Sequence, residues 1–168
     1  MRFAPAAAAL MLVAAITASV GQGAEREADP RAAALMAEGR AALEVQEPQR
    51  AIDAFEAALA VDPGYTAIYL ELARAARAEG LQGKAIHYYR EALARDPGNL
   101  AAITGEGEAL VEKGAVEKAK ANLAKLKSMC GERCAEAQKL ASAIERGPSA
   151  PVLTAEAVMP EAQVTQTN

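Results

Sequence analysis

Apolar residues recur along the middle of the chain at three- and four-residue intervals, and the whole pattern restarts every 34 positions. From Arg31 to Val45, Ala32, Leu35, Met36, Gly39, Ala42 and Leu43 fall on one helical stripe. A break at Gln46-Glu47-Pro48 puts Pro in the first turn of a second helix, Pro48 to Val61, with Ile52, Phe55, Ala58 and Leu59 on one face. Asp62-Pro63-Gly64 ends it. The alternation then repeats: a helix over Thr66 to Glu79, a turn at Gly80-Leu81-Gln82-Gly83, a helix over Lys84 to Arg95, and a second Asp-Pro-Gly from Asp96. A third round runs from Leu100 to Lys113, turns at Gly114, and continues from Val116 to Met129, with Ala119, Leu123 and Leu126 where Ala85, Tyr89 and Ala92 stood. A last amphipathic segment, Cys134 to Glu145, carries Ala137, Leu140, Ala141 and Ile144 at helical spacing.

The second and fourth helices are near copies. AIDAFEAALAVDPG begins at Ala51 and AIHYYREALARDPG at Ala85. A self-similar period of this length predicts helix-turn-helix units that each bury an apolar face against the next. The residues resemble the tetratricopeptide repeat family, which asks for a large residue early in helix A, a small one a turn later, and small-aromatic-small on helix B before a proline. The first unit supplies Leu35, Gly39, Ala42, Ala51, Phe55, Ala58 and Pro63; the second supplies Tyr69, Leu72, Ala73, Ala76, Gly80, Ala85, Tyr89, Ala92 and Pro97. The third, with Ile103, Gly107, Leu110, Gly114, Ala119, Leu123 and Leu126, lacks the aromatic and the proline.

The resemblance implies an all-α, right-handed helix-turn-helix solenoid over 31–146. Its repeats would span about 32–65, 66–99 and 100–133, and a C-terminal capping helix over 134–146 would cover the open end. It implies that Gly39, Ala73 and Gly107 let helix A lie against helix B, while Phe55 and Tyr89 fill the gap between units. It also implies a protein-protein interaction module that receives a partner peptide on the concave surface lined by helix A. By register that groove comprises Met36, Arg40, Leu43, Leu70, Arg74, Arg77, Thr104 and Glu108. Three arginines along one groove suit a carboxylate-bearing peptide, with Glu44, Glu108 and Glu112 as neighbouring counter-charges. The Lys and Asn that chaperone-binding members use at several of these positions are absent, so a heat-shock-protein tail is not the expected ligand.

Composition narrows the picture. Hydrophobic residues make up 52%, mostly alanine, with no Trp, two Phe and four Tyr, a composition suited to closely packed helices rather than sheet. A formal charge of −4, one unit more negative if Arg2 leaves with a leader, disfavours nucleic acid. Residues 1–24 read as a signal peptide: Arg2, an uncharged run from Phe3 to Val20, then Ala18, Ser19, Gly21, Gly23 and Ala24 around a cleavage site between Gly21 and Glu25. An uncleaved anchor is the competing reading. Export to the periplasm follows, with no stable membrane insertion after cleavage and, with no Cys near the site, no lipid attachment. Residues 147–168, with Pro148, Pro151 and Pro160 and no basic residue beyond Arg146, read as a disordered tail, or as a stretch that returns VLTAEAV to the stack.

The two cysteines, Cys130 and Cys134, flank Gly-Glu-Arg. In an unbroken helix residues four apart hold their Cβ atoms roughly 5–6 Å apart, beyond the roughly 3.5–4.5 Å of a disulfide. Oxidation therefore requires a helix break, and Gly131 is placed to supply one, stapling the last helix to the stack. Reduced, with Met129 adjacent, the pair is alternatively a soft Cu(I) site. The Leu123, Leu126, Cys130, Cys134 pattern also resembles small exported bacterial tetratricopeptide proteins, a group without assigned activity. His87 is the sole histidine, and no catalytic triad, phosphate loop or haem motif is present. The expectation is a non-enzymatic adaptor or assembly factor for an envelope complex, without cofactor; the alternatives are a self-associating structural protein and a thiol-redox or copper-handling one.

Overall fold

Helices form wherever the alanine-rich amphipathic stretches run, and proline, glycine and the Asp-Pro-Gly corners punctuate them. The computed structural model describes residues 26–148. The expected leader (1–24) and the expected tail beyond Pro148 lie outside the described residues. Among the described residues there are seven helices and no strand: α1 Pro30–Glu44, α2 Pro48–Val61, α3 Thr66–Ala78, α4 Gln82–Arg95, α5 Leu100–Glu112, α6 Val116–Cys130 and α7 Ala135–Arg146. No helix among them is long and apolar enough to cross a membrane.

Pro30 opens α1 behind Asp29, whose carboxylate accepts from the Arg31 N–H at 2.8 Å; Asn99 does the same for α5, accepting from the Ala102 N–H at 2.9 Å. The turn inside each unit is a reversal with one left-handed residue. Gly80 (φ 79°) and Gly114 (φ 82°) take that role in the second and third units. There the N–H of Leu81 reaches Ala76 O at 2.8 Å and that of Ala115 reaches Leu110 O at 2.7 Å, closing the helix end in the manner of a Schellman motif. So tight a reversal lets α4 begin at Gln82, two residues ahead of the expected Lys84. In the first unit the same place is taken by Gln46, at φ 60°, with the Glu47 N–H on Ala42 O at 2.9 Å.

Consecutive helices pack pairwise, and in addition the backbones of α1 and α3, α3 and α5, and α5 and α7 approach closely; α2 and α4 meet only through long side chains, Lys84 Nζ and the Tyr88 hydroxyl donating to Glu56 Oε1 at 3.0 and 3.1 Å. One side of the stack is therefore closed up and the other splayed, which makes the α1, α3, α5, α7 side the inner, concave one. Core residues form three clusters along the stack: one around Met36, Ile52, Phe55, Ile68 and Leu72, one around Tyr69, Ile86, Tyr89 and Leu110, and one around Ile103, Leu126 and Leu140. Glycine keys several junctions. A Cβ on Gly39 would stand 2.7 Å from Phe55 Cδ1, one on Gly105 would stand 2.5 Å from Tyr89 Oη, and one on Gly107 would stand 2.7 Å from Leu140 Cδ1. This corrects two sequence assignments. Gly107 faces α7, not α6, because α7 packs on α5 as the next helix A would. Phe55 lies over Gly39 inside its own unit, as well as sharing a cluster with Ile68 and Leu72 of the next.

At the N-terminal end the Asp62 carboxylate is 3% exposed. It accepts from the Asp29 N–H at 3.1 Å and from Arg26 Nη1 at 2.8 Å, and so ties the segment ahead of α1 to the end of α2. The Asp29 N–H, with help from Arg26 and against the cost of desolvation, holds the Asp62 carboxyl below its usual range.

Two outcomes follow from the turns and keyed junctions. Gln46→Gly relieves a left-handed non-glycine residue and should raise stability by about 0.5–1 kcal/mol in a urea titration. Gly107→Ala should lower stability by about 1–3 kcal/mol through overpacking against Leu140; the same substitution at exposed Gly98 should change it far less.

Candidate functional site

The concave face is built by α1, α3, α5 and α7, and charged side chains bridge each adjacent pair. Arg40 Nε on α1 donates to Glu71 Oε1 on α3 at 2.8 Å. Arg77 Nη1 on α3 donates to Glu108 Oε2 on α5 at 2.6 Å, and Arg77 Nε to Glu112 Oε2 at 3.2 Å, with a further Nη2 bond to the same carboxylate. Lys139 Nζ on α7 lies 3.3 Å from Glu108 Oε1. In each unit-to-unit step, 40 to 71, 77 to 108 and 108 to 139, the partners are 31 residues apart. That is one repeat less one helical turn, so each side chain reaches the position one turn nearer the N-terminus on the next helix A.

Position 74 breaks the series. Thirty-one residues on from it stands Gly105, which has no side chain to answer it. Arg74 has only Glu71 on its own helix, at 3.4 Å. Here the face deepens into a cavity of about 330 Å³, walled by Arg74, Arg77, Glu108, Glu136 and Lys139, floored by Ala101, Thr104 and Gly105, with Tyr89 beneath. The acids lie under the cations. Glu71 and Glu108 are 10% and 7% exposed, whereas Arg40, Arg74 and Lys139 are 52%, 55% and 65% exposed. Four cations stand against four carboxylates, Glu71, Glu108, Glu112 and Glu136, and Arg40, Arg74 and Lys139 keep their charged ends toward the solvent.

The structure distributes the sequence-derived groove residues unevenly. Arg40, Arg74 and Arg77 share the concave face, but Arg77 is spent on Glu108 and Glu112 and is 22% exposed. Burial works to lower its pKa, and the Glu112 hydrogen bond with the neighbouring charges outweighs that and raises it. Met36 is the clear correction: at 2% exposure it belongs to the core, packed with Ala32 and Phe55, and offers a ligand nothing. Leu43 and Leu70 are partly buried flanks of the clusters. Thr104 is buried, its hydroxyl donating to Leu100 O at 2.8 Å, yet it still forms part of the cavity floor. Cys130 and Cys134 stand at disulfide distance with Cα atoms 5.8 Å apart, and Gly131 at φ 87° ends α6 between them. Sequence reasoning missed Glu71, Lys139 and the Gly105 notch. It also missed Glu106, a buried acid that accepts from Arg90 Nε at 2.7 Å and Asn122 Nδ2 at 3.1 Å and so ties α5 to α4 and α6. The signal for Glu71 was present as a carboxylate three residues ahead of Arg74.

Arg77 is therefore a structural residue. Arg77→Ala leaves Glu108 and Glu112 short of their main counter-charge and should cost about 3 kcal/mol by thermal or urea unfolding. Arg74→Ala should stay within about 1 kcal/mol. Adding Glu108→Gln and Glu112→Gln to the Arg77 variant should recover most of the loss.

Comparison with known proteins agrees with this architecture. Two family profiles, each described as tetratricopeptide repeat, match residues 36–99 and 76–144. No curated protein matches the chain significantly. Among solved structures, the Sgt2 TPR domain from Aspergillus fumigatus is 22% identical, covers 80% of this chain and 94% of its own, and superposes with a TM-score of 0.63. The TPR2B domain of yeast Sti1 in complex with pHsp70 is 17% identical, covering 70% and 98%, with a TM-score of 0.64. The Yersinia enterocolitica type III secretion chaperone SycD, in complex with a peptide of the translocator YopD, is 19% identical, covering 68% and 89%, with a TM-score of 0.61. Together the two profiles span residues 36–144, the same stretch that carries the 34-residue period and the stacked helix pairs, and on that ground the chain belongs to the tetratricopeptide repeat family.

Proposed function

We propose that the chain is an exported adaptor or assembly factor for an envelope complex, and that its concave groove holds a short acidic segment of a partner protein. The observation that carries this reading is the missing rung at Gly105. Arg40 and Arg77 are each answered by a carboxylate of the next helix A, and Lys139 by one of the preceding helix A; at Arg74 the facing residue is Gly105, where the Tyr89 hydroxyl fills the space of a Cβ and a cavity opens beside it. A carboxylate from a partner would complete the series, lying between Arg74 on one wall and Lys139 on the other, with Arg40 further along the same face. Small residues on the floor let a backbone approach closely. Arg gives such a carboxylate paired, charge-assisted hydrogen bonds.

The solved relatives support the mode of binding. SycD was seen with a peptide of YopD, and the Sti1 domain with pHsp70. The leader read in residues 1–24 supports export to the periplasm, and the paired cysteines suit an oxidising compartment. The partner differs from a heat-shock tail, since the Lys and Asn of chaperone clamps are replaced here by an Arg and Glu ladder.

The test is a crosslinking pull-down from the native envelope with the mature chain, beside a variant carrying Arg40→Ala, Arg74→Ala and Lys139→Ala but keeping Arg77. A partner captured by the native chain should be lost from the variant. Its isolated segment should bind about tenfold more weakly for each Arg–carboxylate contact removed, and more weakly as salt rises. Recovery of the same proteins by both forms would sink the groove assignment.

A further inference from the structure

Glu136 is a carboxylate with no ion pair or side-chain hydrogen bond among the described residues. It sits where the concave cavity meets the cysteine pair. The sulfurs of Cys130 and Cys134 and a Glu136 carboxylate oxygen lie within 4.8 Å of one another, and all three residues are half-buried, open to solvent on one side. We propose that these three residues form a redox-gated site for a thiophilic divalent cation of the zinc class, available when the cysteine pair is reduced and closed when it is a disulfide.

The donor set is the first reason. Two thiolates and one carboxylate are zinc ligands, and three protein ligands leave a fourth tetrahedral position for water or a partner's side chain. A set with an oxygen donor suits zinc better than Cu(I), which favours sulfur alone. The backbone is the second reason. Tetrahedral geometry with Zn–S of about 2.3 Å needs the two sulfurs roughly 3.8 Å apart, and Cα atoms 5.8 Å apart allow that as readily as they allow a disulfide. The exposed segment from Gly131 to Arg133 lies between the two cysteines, and nothing stands within 4 Å of where a Gly131 Cβ would be. The loop can therefore adjust without displacing α6 or α7. Placement is the third reason. Cys134 is the N-cap of α7 and Glu136 lies in its first turn, so one helix end holds two of the three ligands.

The chemistry balances. A phosphine reductant takes up the oxygen of one water to become its oxide, and the disulfide gains two electrons and two protons to become two thiols. Binding of one M²⁺ then releases both thiol protons and leaves a site of net charge −1, with two thiolates and one carboxylate around the ion.

The experiment uses the full purified chain, oxidised or reduced by a phosphine and freed of excess reductant. Zn²⁺ is followed by native mass spectrometry and proton release, and Cd²⁺ by its thiolate charge-transfer band in the ultraviolet. The reduced chain should take up one ion per chain with two protons released, and the oxidised chain and Cys134→Ser should take up none. Glu136→Gln, at a side chain without other partners and so with its fold intact, should weaken binding by about tenfold or more. No uptake by the reduced chain, one ion shared between two chains, equal uptake by the oxidised chain, or unchanged affinity in Glu136→Gln would each overturn the site.

Discussion

The stack depends on how closely its helices approach, and that is set by residues with little or no side chain. Where α1 meets α2 the Phe55 ring occupies the space a Cβ on Gly39 would take; where α4 meets α5 the Tyr89 hydroxyl does so at Gly105; where α5 meets α7 Leu140 does so at Gly107. Each is a large side chain of one helix seated against the bare backbone of another, the arrangement that close packing rewards and that a single methyl group disrupts. Ala73, at the position equivalent to Gly39 and Gly107, is fully buried in the cluster that holds Tyr69 and Tyr89. The curvature follows. With α1, α3, α5 and α7 drawn together and α2, α4 and α6 more widely spaced, the face that receives side chains from four helices buries the carboxylates of Glu71 and Glu108.

Burial of those carboxylates explains the ladder. Glu71 and Glu108 lie deep enough that an unpaired charge would be costly, and an arginine or lysine from the adjacent helix answers each. The cations reach them from above with long stems and keep one side in water. Sign is not conserved along the register: positions 40 and 74 are arginine, and position 108, the third in the series, is glutamate. At that inversion the pairing changes direction. In the first step the cation lies on the earlier helix, Arg40 to Glu71; in the last it lies on the later one, Lys139 to Glu108. Gly105 falls between the two regimes, and the cavity opens there.

The repeats were legible in the sequence because their cause is local. Apolar spacing, the Asp-Pro-Gly corners and the near copy of α2 in α4 all lie within a window of a few turns, and each part agrees with the others. The seventh helix was legible for the same reason, from Ala137, Leu140 and Ile144. The site was only half legible. Register alone puts Arg40, Arg74 and Arg77 on one face, but it does not distinguish an arginine answered from the next unit from one that is not. Arg77 is locked and Arg74 is exposed because Glu108 stands 31 residues beyond the first and Gly105 stands 31 beyond the second. Met36 failed for a related reason: with Ala32 and Ala42 beside it there is room for a long flexible side chain to turn inward, and it fills the first core cluster. The offset of one repeat less one turn, read along the chain, pairs Arg40 with Glu71 and leaves Arg74 facing Gly105.

The same arithmetic bears on the strength of the binding proposed for the groove. A ligand carboxylate that enters beside Arg74 meets a guanidinium already half-committed to Glu71 and more than half exposed, so much of the charge attraction is screened by water and by that neighbour. It also meets Glu108 and Glu136 on the cavity walls, which repel it unless Lys139 lies between. What remains is a modest, salt-sensitive attraction that gains specificity from position: a carboxylate one turn out of register faces Glu108 or Glu112 rather than Arg74. An arrangement of this kind selects the spacing of acidic residues along a partner segment more strongly than it holds any one of them. That suits the proposed adaptor role, in which the chain must let go as well as bind.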